Sequence, residues 1–315
     1  MNVERFSKKG RRSMVGNVKA KNIKKDIPIY LMMLPLLILT LVFLYFPMPG
    51  LVISFMDYNV FKGFSSPWVG LDNIRAIMDM PQFYQAVFNT LKISALNLLV
   101  VFPIPIIFAI MLNEVRQKAF KKIVQTCSYL PYFLSWIAVV GIAASLYAVG
   151  GPINDARVAL GGEGTERIMY LSKQSLFLPN VILLTTWKQF GWNSVIYLAT
   201  ISGIDAQLYE AARVDGANKF KQCIHITIPG ILPTAVMLFI LQIGSVLRDN
   251  LDLVYGLQNA FIDFETISTL VYKKGISSGD YAVSTAIGFM QSGVGFLLTV
   301  IANYFSKKVN GTTLW

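Results

Sequence analysis

Six stretches of this chain stay apolar for longer than a soluble core helix requires. Residues 27–56, 93–113, 123–154, 222–247 and 281–306 contain no Asp, Glu, Lys or Arg, and 174–204 contains one, Lys188. A helix needs about 20 mostly apolar residues to cross a bilayer, and each run meets that length. Spanning β-strands would alternate apolar and polar residues with a period of two, whereas these runs are continuously apolar. The pattern predicts an all-α integral membrane protein with six transmembrane helices. The first run exceeds the core of a secretory signal, about 7–15 residues. Pro47, Met48 and Pro49 follow it instead of a small-residue cleavage pattern, so it is expected to be a retained helix.

Composition agrees. Of 315 residues, 54% are hydrophobic and 14% charged, against about 25% charged in soluble domains. Cys127, Cys223 and the single histidine, His225, supply neither a metal-ligand spacing nor a disulfide framework. The net charge of +11 would suggest nucleic acid in a soluble protein, but here its distribution decides its meaning. Nine Lys and Arg precede residue 27, four lie in 114–122, three in 205–221 and two in the tail. The alternate loops 57–92, 150–173 and 248–280 hold three each. With acids included, one side carries +12 and the other −2. Positive charge marks the cytoplasmic side, so both termini are expected there, and no nucleic-acid partner is expected. The basic N-terminus is placed to meet anionic membrane lipid. The organisation expected is a basic cytoplasmic segment 1–26, a six-helix domain 27–306 and a cytoplasmic tail 307–315.

Of the outer loops, 57–92 carries Trp68, Phe83 and Tyr84 and room for a short surface helix; 150–173 is rich in glycine (Gly150, Gly151, Gly161, Gly162, Gly164). The inner loop 205–229 is the most informative. Residues 208–214 are strong helix formers with Asp205 available as a cap. Asp215-Gly216 is a turn dipeptide whose glycine can take positive φ. A second helix then re-enters the membrane at Pro229 and Pro233. Ala211, Ala212, Gly216 and Ala217 leave a small-residue face that another protein could approach. On these residues alone, a docking element and a plain connecting loop are equally open.

Glu210, Ala211, Ala212, Asp215, Gly216, Ala217, Ile226 and Pro229 resemble the EAA loop of ABC-type importer permeases. Cys223 departs from the aromatic that many members carry. Tyr129-Leu130-Pro131, Gly150-Gly151-Pro152-Ile153-Asn154, Trp187-Lys188-Gln189-Phe190-Gly191-Trp192-Asn193 and Leu314-Trp315 resemble the polysaccharide-import subgroup, as do segments at 47–50, 55–59 and 66–71. The resemblance implies a type I ABC importer permease in the bacterial inner membrane. It also implies a second homologous permease, two ATP-binding-cassette ATPases that dock on the loop and use ATP and Mg, and an extracytoplasmic solute-binding protein. The sequence has no Gly-x-x-x-x-Gly-Lys-Ser/Thr phosphate loop, so no cofactor and no ATPase activity of its own are expected.

Polar residues inside spans usually face a cavity or a partner. In the fourth run Trp187 and Trp192 offer flat faces for sugar rings, and Gln189 and Asn193 offer amides for hydroxyls. The resemblance to maltose-type permeases places a substrate aromatic on Trp187; packing between helices, or a place at the lipid interface, is the plainer role. Lys188 either neutralises an acidic sugar or, by preference, pairs with an acid such as Asp249. Gln242, Ser245, Asp249 and Asn250 recur with helix-like spacing as further path candidates. Gln291 and Ser292, flanked by Gly288, Gly293 and Gly295, suit close helix packing or a pore, and His225 reads as a packed or capping residue. The spans hold no cluster suited to a membrane enzyme and no carboxylate for a proton-coupled carrier. The expectation is an oligosaccharide or polysaccharide-fragment permease working by alternating access. A permease for another solute, or a membrane-embedded enzyme or scaffold, is the alternative.

Overall fold

The computed structural model describes residues 23–161 and 165–310, with side chains at 27–161 and 165–306. The basic stretch 1–22, Gly162, Gly164 and the terminal Leu314-Trp315 lie outside the described residues. The described residues up to Val52 form one unit and those from Ile53 onward another. In the first, α1 (Ile23–Thr40) runs into a widened π turn, Leu41–Tyr45. Its apolar side chains, among them Leu31, Leu36 and Phe43, are exposed, as suits a helix whose solvent is lipid.

In the second unit, α2 (Asp72–Met78) is the short helix expected in the 57–92 loop. Next come α3 (Pro81–Leu96), α4 (Pro103–Glu114), α5 (Lys118–Tyr129), α6 (Trp136–Leu146) and α7 (Pro152–Gly161). The long α8 (Gln174–Ser202) leads to α9 (Ala206–Val214), α10 (Lys219–Gln222) and α11 (Ile228–Gly244). The chain continues through α12 (Leu251–Leu257), α13 (Ile267–Tyr272) and α14 (Tyr281–Asn310). The six predicted runs are all largely helical, but they are not six equivalent crossings. Among the described residues, four helical stretches are long and apolar enough to span: Ile27–Phe55, Pro81–Glu114, Lys219–Gly244 and Tyr281–Ser306. The second begins twelve residues before the charge-free run, because Pro81 starts a helix that nothing breaks before Leu96. The third run is bent: Lys118–Phe133 and Trp136–Leu146 meet at 104°. At about 1.5 Å per residue the 29 residues of α8 reach about 43 Å, but α8 is not among the helices apolar enough; its polar residues include Asn180, Thr185, Lys188 and Ser194, all of them buried.

Prolines account for three local distortions. A proline at position i crowds the carbonyl at i−4 and donates no hydrogen bond. Immediately before Pro47, Pro103 and Pro229 the chain widens into π turns, Leu41–Tyr45, Asn97–Val101 and Cys223–Thr227. In each, the residue preceding the proline donates five residues back: Phe46 N to Leu41 O, Phe102 N to Asn97 O (both 2.8 Å), and Ile228 N to Cys223 O.

The bend in the third run has its own support. Leu130–Phe133 forms a 3-10 turn containing Pro131, and Ser135 Oγ then caps α6 by accepting from Ala138 N at 3.1 Å. The Tyr132 carbonyl at the break accepts from Lys188 Nζ at 2.6 Å. That ammonium also lies 5.0 Å from the ring centroids of Tyr132 and Trp136, within cation–π range. Lys188 is only 6% exposed. The expected pair with Asp249 does not form. The Asp249 carboxylate instead accepts from Thr266 Oγ1 (2.7 Å) and Ser268 N (3.4 Å), where it meets the free donors at the start of α13.

The loop expected at 248–280 is mostly helical. Leu253, Val254 and Leu257 of α12 join Val139, Ala143, Val181 and Leu184 in one core cluster. Ile267 and Leu270 of α13 join Ile77, Ala86, Ala286 and Ile287 in another. A third cluster, Ala109, Tyr197, Ile201 and Ile231, ties α4, α8 and α11 together. Among the glycines read as packing residues, Gly295 abuts Gly244, and a Cβ there would sit 2.8 Å from its carbonyl oxygen, whereas Gly288 and Gly293 face open space. The tightest approach is elsewhere: a Cβ on Gly191 would lie 2.0 Å from the Ser128 carbonyl oxygen.

These contacts set the expected cost of three substitutions. Gly191→Ala must separate α8 from α5 and should cost about 3 kcal/mol or more, with no relief from a flexible neighbour; Gly288→Ala should stay within about 1 kcal/mol of the parent. Lys188→Met should cost about 1.5–3 kcal/mol by stranding the Tyr132 carbonyl. Thermal unfolding of the purified protein in one detergent checks all three.

Candidate functional site

Two regions carry the residues singled out from the sequence. The first is the 205–229 loop. Asp205 Oδ1 caps α9 by accepting from Gln207 N at 2.9 Å. At the other end Gly216 adopts φ +76°, and Ala217 N reaches back to Ala212 O at 2.8 Å. This is a Schellman closure, in which a left-handed residue ends the helix and satisfies its last carbonyls. Asn218 Oδ1 starts α10 by accepting from Lys221 N at 2.9 Å, and Gln222 Nε2 donates to Ala217 O at 2.8 Å. The turn is therefore fully bonded, and it projects α9 with no buried residue.

Two contacts anchor this unit to the helices around it. The Tyr209 hydroxyl lies 2.9 Å from Thr227 Oγ1, below α11, and Lys219 Nζ lies 2.9 Å from Glu114 Oε2, the last residue of α4. Glu210 is exposed and forms no ion pair among the described residues. Val214 and Phe220 are 89% and 72% exposed, with Leu208 also exposed. Ala211 is exposed and Ala212 half-buried, so the small-residue face is open to a docking surface. His225 Nδ1 is 3.0 Å from Lys221 O, within its own turn, which agrees with the plainer role expected for it.

The second region is a cavity of about 740 Å³ between α4, α8 and α11, within the range of small-molecule sites. Gln189, Trp192, Asn193, Gln242 and Ser245 line it, alongside apolar Phe102, Ile196 and Leu238. Trp192 stacks on Tyr132 (centroids 4.8 Å apart, 10° between planes) and meets Phe133 edge-on at 5.5 Å. The bend held by Lys188 therefore also braces the cavity's aromatic wall. Gln189 and Gln242 continue into a smaller cavity of about 230 Å³ with Asp249 and Asn250. There Asn250 Oδ1 is engaged as the cap of α12, accepting from Leu253 N at 2.9 Å.

The structure brings together Gln189, Trp192, Asn193, Gln242 and Ser245, and next to them Asp249 and Asn250. It does not bring Trp187 or Lys188 to these cavities: Trp187 is 38% exposed and lines none of them, and Lys188 points at the bend. Sequence reasoning missed Tyr132 and Phe133, whose approach depends on the bend, and Arg248. The only trace of Arg248 was that it ends the charge-free run 222–247.

Comparison with known proteins places this geometry. Residues 101–311 match the family described as binding-protein-dependent transport system inner membrane component. The chain is 44% identical over 284 residues to the polygalacturonan/rhamnogalacturonan transport system permease protein YteP of Bacillus subtilis, covering 89% of this chain and 88% of that protein. It is 40% identical over 290 residues to protein LplB of the same organism, covering 91% and 90%. Among solved structures, a bacterial ABC transporter that imports the acidic polysaccharide alginate superposes with TM-score 0.83 at 34% identity, over 92% of this chain and 98% of that one. The same likeness, at TM-score 0.83, covers 93% and 99% for the alginate transporter in complex with a pentasaccharide-bound periplasmic protein. A chain with this helical fold, and with more than half its length inside the family match, belongs to the binding-protein-dependent transport system inner membrane components, the multi-pass permease subunits of ABC importers.

Proposed function

We propose that this chain is one of two homologous permease subunits of an ABC importer for oligosaccharides or polysaccharide fragments. Its N- and C-termini lie in the cytoplasm. The observation that carries the reading is the capped α9–turn–α10 unit. It is hydrogen-bonded within itself, exposed, and tied by Thr227 and Glu114 to the two helices, α11 and α4, that also wall the cavity. Two ATPase subunits, which use ATP and Mg, dock on Glu210, Val214 and the small-residue face. Their closure moves the loop, and the helices switch the cavity between outward and inward openings. An extracytoplasmic solute-binding protein delivers the solute from the other side. The substrates of YteP and of the alginate transporter support a carbohydrate cargo, as do the indole face and amides of the cavity. Trp192, Gln189, Asn193, Gln242 and Ser245 contact the sugar, and Lys188 shapes the wall from behind.

Gly216→Pro tests the coupling. Proline cannot adopt φ +76° and has no N–H to give Arg213 O, so substrate-stimulated ATPase activity of the full complex in liposomes should fall at least about tenfold. Assembly and stimulation both surviving the change would end the coupling role of this loop. Trp192→Ala should raise the oligosaccharide concentration for half-maximal uptake about three- to tenfold, the equivalent of about 0.5–1.5 kcal/mol. Trp192→Phe should recover most of it, and Trp187→Ala should leave uptake unchanged; flux assays with the reconstituted complex compare the three.

A further inference from the structure

The segment between α11 and α12 is locked at almost every residue. Ser94 Oγ donates to the Val246 carbonyl, and Gln291 Nε2 donates to the Leu247 carbonyl. Asp249 is held by Thr266 and Ser268, and Asn250 caps α12. Within this fixed stretch the Arg248 guanidinium has no hydrogen bond or ion pair among the described residues. Its neighbour Asp249 turns its carboxylate to Thr266 and Ser268 at the start of α13 and forms no ion pair with it.

Arg248 also lies where the cavities meet. It lines the 230 Å³ cavity with Gln189 and Gln242, a small one with Asn97 and Ser245, and one of about 300 Å³ with Gln291 and Ser292. Gln242 and Ser245 belong as well to the large cavity that holds Trp192. No other Lys or Arg lines these four spaces among the described residues, and their one acid is Asp249. A guanidinium carries five donors in a planar fork that matches a carboxylate. Exposed at the edge of an apolar span, on a backbone held by its neighbours, and forming no ion pair among the described residues, it is free to engage an anion that passes through. Amides and an indole would suffice for a neutral sugar; the unpaired cation adds nothing to that recognition.

We infer that Arg248 is the residue by which this permease selects carboxylate-bearing oligosaccharides, engaging a uronate while Trp192 stacks on a ring of the same chain. This rests on the proposed carbohydrate function and narrows its substrate class.

The test uses the complete transporter with its binding protein in liposomes. The probes are tri- and tetragalacturonate, alginate trisaccharide and their carboxyl-reduced, neutral forms. Wild type should take up at least one acidic probe well above its neutral form, and added salt should weaken that uptake. Arg248→Gln should lower acidic uptake at least about tenfold, with basal ATPase activity and the binding protein's affinity for the probe unchanged. Arg248→Lys should recover part of the uptake. Equal uptake of acidic and neutral forms by wild type overturns the inference and leaves a carbohydrate importer standing. So does acidic uptake by Arg248→Gln within about twofold of wild type. Loss of basal ATPase activity in both variants assigns Arg248 a structural role and also overturns it. If wild type transports no glycan of either kind, the carbohydrate reading itself falls, and this inference with it.

Discussion

Inside a bilayer, a backbone carbonyl that loses its helical donor has no water to turn to. This chain breaks its helices repeatedly within and beside its apolar runs, and the rest of its architecture depends on how each break is supplied. Lys188 donates a hydrogen bond to Tyr132 O where the third run bends. Ser94 and Gln291 do the same for Val246 and Leu247 where α11 ends, and Asn89 donates to Glu265 O at 2.9 Å ahead of α13. Thr90 Oγ1 accepts from Ile267 N at 3.0 Å and donates to Ala86 O at 2.8 Å. Polar side chains that look costly in an apolar run are therefore partly structural.

The same economy divides the polar residues of α8 into two sets. Its polar residues diverge around the helix: Lys188 turns to the bend, while Gln189, Trp192 and Asn193 turn to the cavity. Gly191, between them, brings α8 against Ser128 and so seats Tyr132 over Trp192. Under the proposed function the coupling loop needs no long relay to reach this cavity. Glu114 ends the helix that contributes Phe102 and Pro105 to the cavity, and Thr227 precedes the one that contributes Leu238 to Ser245.

Much of this was legible in the residues. Charge-free runs located the helical crossings, and the Asp205 cap and the Asp215-Gly216 turn took the predicted forms down to the sign of φ at Gly216. The cavity residues were legible in part. Residue type and spacing marked Gln189, Trp192, Asn193, Gln242 and Ser245, but not the direction in which each points. Trp187 and Lys188 have the right chemistry and sit on other faces. The bend between α5 and α6 was not legible, because Pro131 marks a break without giving its angle, and the staple that stabilises it comes from 56 residues away. The helices α12 and α13 were hidden by the charges around them, although Leu253, Val254 and Leu257 carry helical spacing.

The widened turns before Pro103 and Pro229 have a consequence for how these spans tolerate change. Each houses one residue more than a regular helix would use, so the side chains beyond it are rotated by about 100° relative to a straight continuation. In the 81–114 span, that offset separates the phase of Ser94 and Asn97 from that of Phe102 and Pro105. Deleting a single residue from 97–101 would thus turn the whole lower half of the helix, whatever residue was lost. In these two spans chain length itself is information, and a one-residue gap between relatives at either position signals a differently faced wall.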